Sequence, residues 1–169
     1  AQFESHLAST IQAFEIAKKA GVKTILNPAP AMEKVPEELL RLTDIIIPNE
    51  TETEILTGVK ITDEASMQKA AQKLHDLGIE GVIITVGSKG AYYDVHGESG
   101  IVPAFKVEAK DTTAAGDTFI GALSTVLKKD LSNLQAAISY GNQASSLTVQ
   151  RFGAQPSIPY LNEMKPMED

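Results

Sequence analysis

Three features of this 169-residue sequence predict an α/β fold: three layers, with helices on both faces of a mostly parallel sheet. Three short apolar runs, "VKTILN" from Val22, "DIIIPN" from Asp44 and "GVIITVG" from Gly81, are continuous rather than alternating, as strands buried on both faces are. Stretches with helical spacing separate them, and strand–helix alternation favours parallel pairing through crossovers. Each run ends in turn formers: "NPAPA", "PNE" and "GSKG".

The elements follow in order. "HLASTIQAFEIAKKAG" carries Leu7, Ile11, Phe14 and Ala17 at three- and four-residue spacing and stops at Gly21. The first strand breaks at "NPAPA" and the second at Pro48, after which "ETEILTG" begins on polar residues. "DEASMQKAAQKLHDLG" predicts a helix with Ala65, Ala70, Leu74 and Leu77 inward and a glycine stop. After the third strand, "AYYDV" and "GIVPAF" flank "HGESG" as a hairpin. Helices over 115–128 and 131–149 precede a proline-rich tail.

One domain spanning residues 1–169 is expected, since this length can bury a sizeable core. A net charge of -7 without Lys/Arg clusters argues against nucleic-acid and anionic-membrane partners. The absence of cysteine removes disulfides, thiolate zinc sites and cysteine nucleophiles, and fits a reducing, cytoplasmic setting. No apolar run approaches a membrane span. The opening "AQFESHLAST" reads as a cut through a larger protein.

In open α/β sheets, ligands bind beyond the carboxyl ends of the strands. Asn49 and Glu52 follow the second strand, Thr85, Gly87, Ser88 and Gly90 the third, and "DTTAAGD" precedes a long helix. Each has a plain structural reading. Asn49 with Glu52 has capping-box spacing, "GSKG" is a good turn, and Asp117 complements a helix dipole. Together they describe a nucleotide site without a Walker loop. Backbone amides of the Ala114-Ala115-Gly116 turn can hold phosphate, because small side chains allow close approach at a helix start. Asp117 could then act as a base beside those amides. Asn49 and Glu52 are hard ligands suited to Mg²⁺ through water. His6, His75 and His96 are scattered and expected at the surface without partners.

"DTTAAGD", "PNETE" and "TVGSKG", in this order and spacing, resemble the ribokinase family of sugar kinases (phosphofructokinase-B type). "NPAPA" and "RFGAQPSIP" are similar to its ribose-phosphorylating members. The likeness runs from Gln2 to Pro159. It departs at Ala114, where the commoner motif D-T-x-G-A-G-D has glycine.

The resemblance implies an ATP-dependent kinase acting on the 5-hydroxyl of ribose, with Mg²⁺ and K⁺. It implies Asp117 as catalytic base, Gly116 with Ala115 and Ala114 as anion hole, and Glu4 on the sugar. It places Asn49 on the nucleotide phosphates and Glu52 on the magnesium-water shell. Thr85, Val86, Gly87, Ser88, Lys89 and Gly90 would line the ATP groove, with Asn142 near the adenine or its ribose. Asp111, Thr113, Thr148, Arg151, Gly153 and Ser157 fall where the family holds a monovalent cation. It further implies an amino-terminal part with most sugar contacts and a lid forming a homodimer, neither present here. A sister kinase for fructose, a nucleoside or a vitamin alcohol is the second reading. A non-catalytic nucleotide-binding module is the third, and an intact Asp117 counts against it.

Overall fold

The computed structural model describes residues 1–166, which divide into two compact units. The first contains residues 1–86 and 92–101, and the second 87–91 and 102 onward. In chain order the elements are α1 (Leu7–Lys19), β1 (Ile25–Leu26), α2 (Glu37–Arg41), β2 (Ile45–Ile46), α3 (Glu50–Thr57), α4 (Glu64–His75) and β3 (Gly81–Thr85). β4 (Ala91–Val95), β5 (Glu98–Val102), α5 (Ala115–Val126) and α6 (Leu134–Thr148) follow.

The sheet runs in sequence order, β1 to β5. Its first three strands are parallel, with Ile25 opposite Ile45 and Ile45 opposite Gly81. The ladders of β1 and β2 are short because proline follows each, and proline has no N–H to donate. The short Val86–Gly90 link after β3 leaves no room for a crossover, so β4 must run back antiparallel. β4 and β5 are joined by His96 and Gly97 alone, with φ of 52° and 81°. Positive φ at both positions is the type I′ geometry that suits the twist of a hairpin. The first unit's core is Leu26, Ile46, Val82 and Ile84 from the strands, packed with Leu39, Ala70, Ala71 and Leu74 from the helices. β3 is buried from Gly81 to Ile84, as a covered parallel strand requires.

In the second unit α5 lies against α6. Gly141 permits the close crossing: a Cβ there would come 2.9 Å from the Phe119 carbonyl oxygen, which cannot swing away.

Several expectations need correction. Ala65 in α4 and Leu77 after it are exposed, while Met67, Ala70, Ala71 and Leu74 face inward. Leu77 lies past the helix end, so helical spacing does not apply to it. "HGESG" is not a loop: Glu98, Ser99 and Gly100 belong to β5, which ends at Val102 rather than at Phe105. The last two helices stop short of 115–128 and 131–149. The histidines are not all partnerless. His75 donates from Nδ1 to the Ile79 carbonyl (2.8 Å) and lies 3.3 Å from Asp94, and His96 pairs with Glu80 at 2.8 Å.

Candidate active site

α5 begins where the chain turns through Ala114, whose φ of 61° is left-handed. That single residue redirects "DTTAAGD" so that Gly116 and Asp117 fall in the first helical turn. The Ala115 N–H donates to Thr112 O (3.2 Å), and the Thr118 N–H to Ala114 O (2.9 Å). Between them lie the amides of Gly116 and Asp117, for which a helix has no acceptor of its own. Both residues are exposed. An alanine and a glycine keep the approach clear, and first-turn amides with the helix dipole favour an anion. Glycine at position 114 would adopt this φ without strain, which gives the departure at Ala114 a physical meaning. Beside Asp117 the Thr118 hydroxyl is buried with no hydrogen-bond partner among the described residues.

Asn49 and Glu52 come together as a complete capping box at the start of α3. The Asn49 side chain accepts from the Glu52 N–H (2.9 Å), and Glu52 Oε2 accepts from the Asn49 N–H (2.8 Å). The Asn49 amide also donates to Glu52 Oε1 at 2.9 Å. Burial pushes the Glu52 carboxyl above its ordinary value, and the Asn49 amide offsets part of that. Asn49, beyond the end of β2, also bridges Thr85, the last residue of β3, in parallel. Two of the sequence-predicted stretches therefore meet at the carboxyl edge of the sheet.

Val86 is buried, and Gly87, Ser88 and Lys89 form one exposed turn of 3₁₀ helix. Gly90 has a φ of 110°, and a Cβ there would lie 2.1 Å from the Val102 carbonyl oxygen. Its glycine is thus demanded by the polypeptide itself. Asn142 is buried on α6, with Nδ2 donating to Val102 O and Pro103 O, each at 3.1 Å.

The residues assigned to a monovalent cation are drawn together in part. Asp111 Oδ1 accepts from the Thr113 N–H (2.9 Å) and hydroxyl (2.6 Å), and Oδ2 from the Gly153 N–H (2.9 Å). The Asp111 N–H donates to Val149 O, just past the end of α6. Thr148 and Ser157 are buried and bond their own backbone at Ala144 O and Ala154 O. The Arg151 side chain turns to Glu163. Those side chains are occupied, so any cation ligands here would be chiefly carbonyls. A helix C-terminus beside an ionised Asp111 suits a cation. Among the described residues no three His, Asp or Glu side chains converge into a metal cluster.

Glu4 is exposed in the turn after Phe3, whose N–H donates to Ala29 O (2.8 Å) and ties the opening segment to "NPAPA". The sequence reading missed a cavity of about 270 Å³ at Asp117, walled by Thr118, Tyr140, Ile158 and Leu161. Apolar residues in the tail were its one signal. It also missed Val102 and Pro103, because backbone carbonyls leave no mark in a sequence.

The pattern of the pfkB family carbohydrate kinases matches residues 2–161. Ribokinase of Staphylococcus aureus is 54% identical over 164 residues, covering 97% of this chain and 54% of that protein. Ribokinase of Haemophilus influenzae is 51% identical over 162 residues, covering 96% and 52%. The structure of Arabidopsis thaliana ribokinase complexed with ribose and ATP superposes with a TM-score of 0.86 at 35% identity, covering 94% of this chain and 51% of that one. The chain spans about half the length of these relatives. With the family pattern across nearly its whole length and the turn, capping box and glycine positions in place, the chain belongs to the pfkB family of carbohydrate kinases.

Proposed function

We propose that the chain is the nucleotide-binding and catalytic portion of an ATP-dependent kinase that phosphorylates D-ribose at O5. The observation that carries the reading is the opening of α5, with small residues, first-turn amides and an exposed Asp117 within one turn. The names of the relatives support ribose over other acceptors. The sugar's 5-hydroxyl gives its proton to the Asp117 carboxylate as O5 bonds to the γ-phosphorus. The bond from that phosphorus to the β-γ bridging oxygen breaks, leaving ADP and ribose 5-phosphate. Charge gathering on the transferring phosphoryl oxygens is met by the Gly116 amide and the first-turn backbone around it.

Glu4 would orient the sugar. Asn49 and the Thr85–Gly90 segment would hold the nucleotide, with Asn142 near its adenine or ribose. Glu52 would hold the water shell of Mg²⁺, which when bound neutralises phosphate charge. K⁺ would sit among carbonyls of Asp111, Thr113, Thr148, Arg151, Gly153 and Ser157, orienting the turn without entering the chemistry. A full-length kinase of this kind would work in the cytoplasm as a homodimer through a lid outside this chain. A chimera joining this chain to the part of Staphylococcus aureus ribokinase outside the match tests the reading. ADP release should be fastest with ribose. Faster release with fructose or adenosine would move the assignment to a sister kinase.

A further inference from the structure

Two segments of the second unit converge on one stretch of backbone. Val102 O and Pro103 O both accept from Asn142 Nδ2. A Cβ on Gly90 would lie 2.1 Å from Val102 O, 2.8 Å from Pro103 C and 2.7 Å from Ala104 N, so the Gly90 backbone is pressed on the same three residues. The orientation of the Asn142 amide is not free. Two carbonyl oxygens at 3.1 Å require the NH₂ end, since the flipped amide would set oxygen against oxygen. Both hydrogens of Asn142 are thereby used on the polypeptide, and only Oδ1 is left, as an acceptor.

We infer that Asn142 serves the nucleotide site as a positioning residue: its amide fixes the Val102–Ala104 backbone, and that backbone fixes the Gly87–Gly90 turn. Any direct contact with nucleotide through Oδ1 is secondary to this. The inference rests on the nucleotide reading above and adds the route by which α6 acts on the turn. It also gives Gly90 and Asn142 a common purpose that neither shows alone. Nothing on the nucleotide needs to touch Asn142 for its loss to be felt.

The test is Asn142→Asp, with ADP affinity measured by calorimetry on this chain between about pH 8 and pH 5, alongside wild type. A carboxylate facing two carbonyls repels them, whereas the protonated acid donates to one. ADP should bind the variant roughly tenfold or more weakly than wild type at the upper pH, recovering as pH falls. A direct acceptor role predicts the reverse, because a carboxylate accepts at least as well as an amide. Wild-type affinity in the variant at the upper pH, or a loss that low pH does not relieve, overturns the inference while leaving the nucleotide reading in place. If wild type itself binds no ADP, the nucleotide reading falls and takes the inference with it. A measurement on wild type covers a variant that does not fold. The Asn142 side-chain NH₂ protons should exchange slowly without nucleotide and keep their chemical shifts on adding ADP, while the Val102 and Ala104 amides move. A large shift at the Asn142 NH₂ with none at those amides would overturn the inference equally.

Discussion

Asp111 and Gly153 stand 42 residues apart and are joined by one hydrogen bond, from the Gly153 N–H to Asp111 Oδ2 at 2.9 Å. The other carboxylate oxygen is held by the Thr113 hydroxyl and amide. The segment that leads into α5 is therefore stitched to the loop that follows α6. The Thr113 hydroxyl, then the Gly153 and Thr113 amides, draw the Asp111 carboxyl down to about 2 from 3.8. Charge and staple are one feature.

Because its folded value lies below the unfolded one, Asp111 contributes stability that is present above pH 3.8 and lost as pH falls through about 2. Asp111→Asn should flatten the acid limb of a urea-midpoint against pH profile within that window. Asp111→Ala, placed in the chimera, should also shrink the rate difference between K⁺ and Na⁺ at constant ionic strength, where general screening is equal. An unchanged acid limb in the first variant would show that the staple adds nothing to stability. Equal rates in the two salts before any mutation would remove the cation site.

Ala114 holds a left-handed φ of 61°, which costs an L-residue with a Cβ roughly 1–2 kcal/mol. Ala114→Gly removes that strain and adds about 0.5–1 kcal/mol of unfolded-chain entropy. A small net gain in thermal stability is expected, with ADP affinity kept. A clear loss of stability would mean that the Ala114 methyl packs usefully despite its backbone.

Glu52 tests capping against metal binding. Burial raises its folded value, so its linkage stability is fully present below the ordinary 4.5 and lost as pH rises through the folded value. Glu52→Gln abolishes that loss and keeps an oxygen for the Asn49 N–H, while the Asn49 side-chain amide gives up its acceptor. Stability near neutral pH should stay within about 1 kcal/mol of wild type. The Mg²⁺-dependent part of ADP affinity should drop. A variant whose ADP affinity responds to Mg²⁺ as wild type does would leave Glu52 as a cap only.

The sheet was legible because burial on two faces forces continuous apolar runs, and the longer helices because of their spacing, but the five-residue α2, Glu37–Arg41, is too short to show a period and went unread. Leu77 went astray because helical spacing was extended beyond where α4 stops, whereas Ala65 lies in the first turn of α4 on its exposed face. "HGESG" went astray because glycine and serine look like loop residues, whereas a type I′ turn needs only His96 and Gly97 and returns the rest to β5. At the candidate site, Asn49 with Glu52 was legible as a pair, since three-residue spacing at a helix start has few geometries. Gly90 and Asn142 were legible only as positions. Their shared contact is backbone from Val102 to Ala104, where side-chain identity carries no signal.

Asp117→Asn in the chimera keeps the size of the side chain and the helix start but removes proton acceptance. General-base loss costs roughly 10²–10⁴-fold in rate. A fall of that order in kcat, with ADP affinity little changed, is expected. Near wild-type turnover would return Asp117 to the capping role that its place in the first turn of α5 also allows.

The chain by itself should fold and bind nucleotide without turning over ribose. Its first unit buries a core from Phe14 to Tyr92, and in its second α5 and α6 pack through Gly141 and Phe119. The residues proposed for the nucleotide, from Asn49 to Asn142, all belong to this chain. The acceptor sugar has only Glu4 and Asp117 assigned to it, and about half the length of the relatives lies outside the match. With so few contacts the 5-hydroxyl would not be held for in-line attack, and water would have access to the γ-phosphate. Calorimetry should give ADP binding in the weak, micromolar-to-millimolar range, and a coupled assay should give no ribose-dependent ADP release. Adding the remainder of the Staphylococcus aureus ribokinase as a separate chain should restore turnover only where the two pieces associate. Ribose-dependent turnover by the isolated chain would show that the sugar site needs nothing more than Glu4, Asp117 and the opening of α5.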